Sequence, residues 1–321
     1  MNNVASLKTV PSSRMSLAHV SRGKLDVPYK VVAYGPEGVG KSTWASGAPS
    51  PIWLPLDNRT AHLDIQRLPQ PATWDEALEG LRLLETEKHD FKTVVVDPVN
   101  WLEPMLGAKL TGDPLVDLVN WKSFNKGLDA AVPYWRLLVS QLERLWLRGM
   151  NVILLAHCNV RPFNDPEGPG YDRYELALDK KAGGLLKQWV DYVLFLKQEA
   201  VGKVDKQTKR ARGQETGRRL IYTTWTAAYD AKFSGSMPPT LELSWPAFHE
   251  AARASKKQLE DLHARLEGLI GELGSDAATV QKVRAYIVDA KDDTNRLEEI
   301  VNAVLLKLDE LRNESKKGQS K

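Results

Sequence analysis

The stretch Gly35-Pro36-Glu37-Gly38-Val39-Gly40-Lys41-Ser42-Thr43 constrains this chain more than any other. Glycines at this spacing let the backbone curl so that successive N–H groups point inward, toward an anion. The preceding residues, Tyr29-Lys30-Val31-Val32-Ala33-Tyr34, are β-branched and apolar, which predicts a buried strand. Those that follow, Ser42-Thr43-Trp44-Ala45-Ser46, open a helix whose positive end adds to the cradle. Strand, glycine loop and helix in this order make the pattern G-x-x-x-x-G-K-[ST] a phosphate-binding loop. Its ligand is a nucleoside triphosphate. Lys41 is expected to reach the β- and γ-phosphates, and the Ser42 hydroxyl to hold Mg2+.

One strand and one helix later, Phe91-Lys92-Thr93-Val94-Val95-Val96-Asp97 is an apolar run ending in a carboxylate. In this position an Asp lies beside the loop and shares the Mg2+. An attacking water also needs a positioning group near the γ-phosphate. Asp57, just after the second strand, and Glu103, on the turn into the helix beyond Asp97, are the two candidates. His157 ends the apolar strand Asn151–Ala156, at the tip where ligands bind in sheets of this kind, and is placed to sense the γ-phosphate.

The spacing of these pieces predicts an α/β fold. Strands at Pro51–Leu56, Lys92–Val96, Asn151–Ala156, Tyr192–Lys197 and Arg219–Thr224 alternate with helices after Thr73 and at Leu102–Leu110 and Pro133–Arg148. Thr73 and Glu76 form a capping box for the first of these helices. Such alternation implies a parallel sheet covered on both faces. Residues 1–27 mix Ser, Asn, Lys and Arg and read as a flexible arm, 28–252 as the ATPase core, and 253–321 as a small helical bundle with a polar tail. The bundle follows from apolar residues at helical spacing, among them Leu259, Leu262, Leu266, Val280, Val283, Leu297, Val301 and Leu308.

Across the 321 residues the net charge is +3, which allows a nucleic-acid partner without demanding one. Cys158 is the only cysteine, so no disulfide forms within the chain, as in a reducing cytosol. No apolar run has the length of a membrane span, and the N-terminus lacks the apolar core of a signal peptide. These features predict a soluble cytoplasmic protein with no membrane partner.

Several pieces together resemble the RecA-like ATPases of bacteriophages grouped as single-strand annealing proteins, which carry an AAA domain. They are Gly35–Thr43, Leu56–Leu63, Val94–Glu103, Leu154–His157, Tyr171–Leu176, Lys180–Ala182, Trp189–Asp191 and Asp230–Phe233, within about residues 28 to 250. The resemblance implies a RecA-like phosphate-loop core with ATP and Mg2+ at Gly35, Pro36, Glu37, Gly38, Val39, Gly40, Lys41, Ser42, Thr43 and Asp97. Asp57 matches the group's catalytic Glu, one methylene shorter, which implies slow hydrolysis; Asn58 and Asn100 stand where Asp is common. His157 matches the sensor that is Gln in RecA itself. Lys232 resembles the lysine that reaches a neighbouring subunit's ATP in RecA-type filaments, which implies a homo-oligomer, ring or filament.

The resemblance also implies single-stranded DNA as a partner, alongside a single-strand-binding protein, in the bacterial host cytoplasm. The polar stretch Asn159–Gly184 lies where RecA-like proteins carry a mobile DNA-contacting loop. Its Arg161, Arg173, Lys180 and Lys181 suit phosphates, and Phe163, Tyr171 or Tyr174 offers a stacking face. A second basic cluster with Lys209, Arg210 and Arg212 is expected at a hairpin tip. The reading is an ATPase acting on single-stranded DNA in annealing or strand exchange. Two others stay open: a nucleotide-gated binding module with little hydrolysis, and a phosphate-loop kinase or helicase-loader-like ATPase.

Overall fold

A computed structural model describes residues 27–116, 118–121, 126–165, 168–204, 211–233, 237–273, 277–290 and 293–318. The chain divides into two compact units, one running up to Lys232 together with Pro239–Ala247, the other comprising 233–238 and the residues from Phe248 onward.

The first unit runs β1 (Lys30–Tyr34), α1 (Lys41–Ser46), β2 (Pro51–Pro55), β3 (Gln66–Arg67), α2 (Trp74–Thr86), β4 (Thr93–Asp97), α3 (Leu102–Thr111), α4 (Leu118–Trp121) and α5 (Lys126–Leu147). It continues through β5 (Asn151–Ala156), β6 (Cys158–Phe163), β7 (Tyr171–Leu176), α6 (Lys180–Trp189), β8 (Tyr192–Val204), β9 (Ala211–Tyr222) and β10 (Thr240–Glu242). Eight strands form one sheet in the order β10-β9-β8-β1-β5-β4-β2-β3. The six from β3 to β8 are parallel, and β9 and β10 add antiparallel at one edge. That edge departs from an all-parallel sheet because residues 205–210 are too few for a crossover, so β8 and β9 pair as a hairpin.

The central strands are buried on both faces. Val32, Val94 and Val152, pointing one way, and Val31, Val95 and Ile153, pointing the other, are all fully buried. The first set packs with Trp74, Leu81, Trp135, Leu138 and Leu186 from α2, α5 and α6 into one core. Thr73 caps α2 by accepting from the Glu76 N–H, while the Glu76 carboxylate reaches one residue further back, to the Ala72 N–H. α5 starts seven residues before Pro133, because Gly127, Ala131, Trp135 and Leu138 carry the buried face through the proline.

The stretch expected as a mobile polar loop is largely ordered structure. Tyr171-Asp172-Arg173-Tyr174-Glu175-Leu176 alternates in the manner of a strand and pairs with Cys158–Phe163 in a second, two-stranded sheet. Asp179 then caps α6 by accepting from the N–H groups of Lys181 and Ala182. In the second unit the part of α7 (Trp245–Leu273) from Phe248 onward, α8 (Ala277–Ala290) and α9 (Thr294–Gly318) bury Leu262, Leu266, Val283, Leu297, Val301 and Val304 in their own core.

Candidate functional site

Parallel strands deliver their following loops to one end of the sheet, and the register here brings four of them together. Tyr34 pairs with Ala156 and Pro55 with Asp97, so Gly35, Asp57, the Asp97 carboxylate and His157 all follow adjacent strand ends. The loop's glycines are required by its path. A Cβ on Gly35 would meet the Leu196 carbonyl oxygen at 2.0 Å, and Gly40 has φ of 106°, a left-handed conformation that side chains disfavour.

Lys41 is buried and donates to the carbonyl oxygens of Gly35 and Pro36, at 2.9 Å each, which stretches the ammonium across the loop. Burial lowers its affinity for the proton, while Asp97, Cys158 and Glu37 oppose that shift. Ser42 Oγ donates to Asp97 Oδ2 at 2.6 Å, and the indole N–H of Trp53 points to the same oxygen at 3.4 Å. Burial raises the Asp97 pKa, the two hydrogen bonds hold it down, and Asp57 pushes it up again. Trp53, in the apolar strand β2, is fully buried, and its polar edge also touches the site.

Asp57 accepts the Arg59 N–H at 3.0 Å and lies 3.8 Å from Arg59 Nε. The Arg59 guanidinium reaches Glu37 Oε1 at 3.0 Å. His157 is fixed at its backbone, whose N–H donates to Asn100 Oδ1 at 3.1 Å. Its ring Nδ1 is buried without a hydrogen-bond partner and stands 4.0 Å from Glu37 Oε1. Burial, then the Lys41 charge, lowers the His157 pKa, so the imidazole is neutral at pH 7. Glu37 is held below the usual carboxylate range by Arg59, through a hydrogen bond and through charge.

The other sequence candidates are placed elsewhere. Glu103 accepts the backbone N–H of Asp179 at 3.2 Å, at the start of α6. Lys232 exchanges backbone hydrogen bonds with Val193 and donates from Nζ to the Lys187 carbonyl at 2.8 Å, away from the phosphate loop of its own chain. Arg173 requires correction as a DNA contact. It is 7% exposed and ion-paired to Asp230 at 2.5 Å, so its guanidinium is committed inside the fold. Arg161 donates to the Leu178 carbonyl and lies 3.8 Å from Glu175, and Lys181 pairs with Asp129. Lys180 is exposed and has no ion pair among the described residues. Lys209 and Arg210 lie outside the described residues, and Arg212 is described by its backbone alone, on β9 opposite Lys203.

The residues present suit a triphosphate with Mg2+: a glycine cradle, one buried ammonium, and a hydroxyl–carboxylate pair. Among the described residues no three His, Cys, Asp or Glu side chains converge as a metal cage. Mg2+ needs none, since it keeps waters and takes one or two protein oxygens plus phosphate. No described helix is long and apolar enough to cross a membrane.

No curated protein matches the chain. Among solved structures, the RadB recombinase is similar at 14% identity and a TM-score of 0.34, covering 61% of this chain and 80% of that one. Flagellar accessory protein FlaH from Methanocaldococcus jannaschii is similar at 10% identity and a TM-score of 0.33, covering 67% of this chain and 85% of that one. A family model described as an AAA domain matches residues 27–234, more than half of the chain and every strand of the phosphate-loop sheet except β10. The chain belongs to the AAA domain family.

Proposed function

We propose that this protein is a Mg2+-dependent ATPase that binds single-stranded DNA and works as a homo-oligomer in annealing or strand exchange of the phage type. The observation that carries the ATPase reading is the 2.6 Å hydrogen bond from Ser42 to Asp97, which sets both metal-facing oxygens beside Lys41. The loop N–H groups hold the α- and β-phosphates, and Lys41 turns from its own loop carbonyls to the β- and γ-phosphates. Bound Mg2+ would draw charge from the phosphate oxygens. His157 faces the terminal phosphate, and Asp57 orients the attacking water. Because Asp97, Asp57 and His157 all lie on the β4, β2 and β5 side of β1, the nucleoside leaves toward β8–β10. A recess there is lined by Gly40, Thr43, Gly47, Arg219, Ser244 and Trp245.

The DNA reading draws on the β6–β7 hairpin. The rings of Phe163 and Tyr171 pack 5.2 Å apart, Trp225 is 57% exposed nearby across Arg173, and Lys180 is an available cation. Aromatic faces with adjacent positive charge suit single strands of any sequence. Lys232 would act on a neighbouring subunit's nucleotide. A second reading, a nucleotide-gated module with little hydrolysis, is favoured by one contact: the Asp57 carboxylate is already engaged by Arg59. Steady-state phosphate release with and without an oligothymidine tests both. Turnover that rises with DNA supports the ATPase, binding of ATP and DNA with negligible turnover supports the module, and absence of ATP binding ends both.

A further inference from the structure

Arg59 connects two strand ends. It follows β2 by four residues, in a turn where its own N–H is held by Asp57 Oδ1. Its guanidinium crosses to Glu37, the third residue of the phosphate loop, with Nη1 3.0 Å from Oε1. That same oxygen is the one His157 Nδ1 faces at 4.0 Å from the end of β5. One carboxylate oxygen is therefore flanked by a guanidinium and by an imidazole nitrogen that is buried and lacks a hydrogen-bond partner. Lys41, whose target is the β- and γ-phosphates, holds its Nζ 2.9 Å from the carbonyl oxygen of Pro36, the residue before Glu37.

The pair is weakly held. The side chains of Arg59 and Glu37 are 58% and 66% exposed, and exposed ion pairs of this kind contribute little. A terminal phosphate offers three strong acceptor oxygens and nearly two charges, and a guanidinium can take two of those oxygens at once. Arg59 and His157 would thus gain by exchanging Glu37 for a phosphate, provided that phosphate reaches them. A diphosphate ends one phosphate short.

We propose that Arg59 joins His157 at the γ-phosphate, and that Glu37 is the internal carboxylate it releases when a triphosphate arrives. Arg59 is a ligand-contacting residue that discriminates triphosphate from diphosphate, and Glu37 is the competitor that keeps it parked otherwise. The device rests on the nucleotide reading of the phosphate loop. It requires no motion of the sheet, only rotation of two exposed side chains.

Binding of fluorescent mant-AMPPNP and mant-ADP to the full chain with Mg2+, read by anisotropy, tests this. Arg59→Ala is expected to weaken the triphosphate analogue about tenfold and to leave mant-ADP within about twofold, the loss of one charge-assisted bidentate contact. Arg59→Lys keeps the charge without the fork and should fall between. Glu37→Gln removes the competitor and should raise the preference for the triphosphate analogue over mant-ADP about threefold. Melting temperature by circular dichroism checks that each exposed-site variant is folded. Equal weakening of both nucleotides by Arg59→Ala, or no change in either, overturns the proposal. Failure of the unaltered protein to bind either nucleotide overturns instead the phosphate-loop reading on which it rests.

Discussion

Arg173 Nη2 stands 2.5 Å from Asp230 Oδ1, and the other oxygen of that carboxylate stands 2.5 Å from Lys187 Nζ. Asp230 thereby joins β7 to α6. Its backbone completes a third tie: the Tyr34 hydroxyl donates to the Asp230 carbonyl at 2.7 Å and accepts from the Asp230 N–H at 2.9 Å. Tyr34 is the last residue of β1, immediately before Gly35 of the phosphate loop. Arg173 in turn lies 5.2 Å from the Phe163 ring and 6.0 Å from that of Trp225. Contiguous contacts thus run from the strand beneath the nucleotide loop to the aromatic face of the hairpin.

Removing Asp230 would leave a buried guanidinium without its counter-charge. Asp230→Ala is expected to destabilise the first unit by about 2 to 4 kcal/mol, at or below the usual cost of breaking a buried pair because Asp230 keeps some solvent access. Urea unfolding followed by tryptophan fluorescence measures it; a loss under about 0.5 kcal/mol, typical of surface changes, would refute the role. The pH dependence has a fixed sign. Burial raises the Asp230 pKa, but Lys187 and Arg173 together outweigh it and set the folded value below 3.8. This stability is present above pH 3.8 and is lost as pH falls through the lower folded value. Asp230→Asn should therefore lose less stability than the unaltered protein below pH 3.8.

The phosphate loop is legible in the sequence because its requirements are local. A close approach at Gly35 and a left-handed backbone at Gly40 leave little choice of residue, and a buried strand ending in a carboxylate marks Asp97 the same way. The Glu37–Arg59 contact is not legible, since it joins the loops of β1 and β2 across a register that only the sheet order fixes. Trp53 hid its role behind its size: an indole in an apolar strand reads as core, and its N–H has no pattern of its own. The β6–β7 hairpin was masked by glycine and proline at its turn, although Tyr171–Leu176 alternates as a strand should. Arg173 shows the limit of reading charge from sequence. A cation between polar neighbours reads as a surface contact unless its partner, fifty-seven residues away, is known.

Lys41→Ala removes the loop's only cation directed at the outer phosphates. Triphosphate binding should fall by more than about a hundredfold, consistent with losing charge-assisted contacts in a largely buried site. Asp97→Ala should weaken binding with Mg2+ present and leave metal-free binding nearly intact. Calorimetric titration with and without a chelator separates the two, and equal losses in both conditions would count against Asp97 as a metal residue.

Asp57→Asn keeps the size of the side chain and removes the charge that would orient water. ATP binding should hold within about threefold while phosphate release falls at least tenfold, the low end of a general-base contribution. Asp57→Glu, one methylene longer, should raise turnover. Unchanged rates in both variants would leave the nucleotide-gated module as the better reading.

DNA affinity is expected to rest on the hairpin's aromatic face and on Lys180, and to depend on nucleotide. Trp225→Ala and Phe163→Ala each remove a stacking surface and should weaken oligothymidine binding by about 1 to 3 kcal/mol with little change in salt dependence. Lys180→Ala should instead flatten the log–log salt slope by roughly 0.7, the value of one phosphate contact on a single strand. Arg161 and Lys181 must first leave Glu175 and Asp129, so neutralising either should flatten the slope by less. Arg173→Met should act through fold stability and not through the slope, because the guanidinium is buried against Asp230. Anisotropy on a labelled oligothymidine at several salt concentrations, with ATP, ADP and no nucleotide, distinguishes these effects. The contact chain from Tyr34 through Asp230 and Arg173 predicts tighter DNA binding with ATP than with ADP. Equal affinity in all three nucleotide states would sink that coupling, and no binding at low salt would sink the DNA reading altogether.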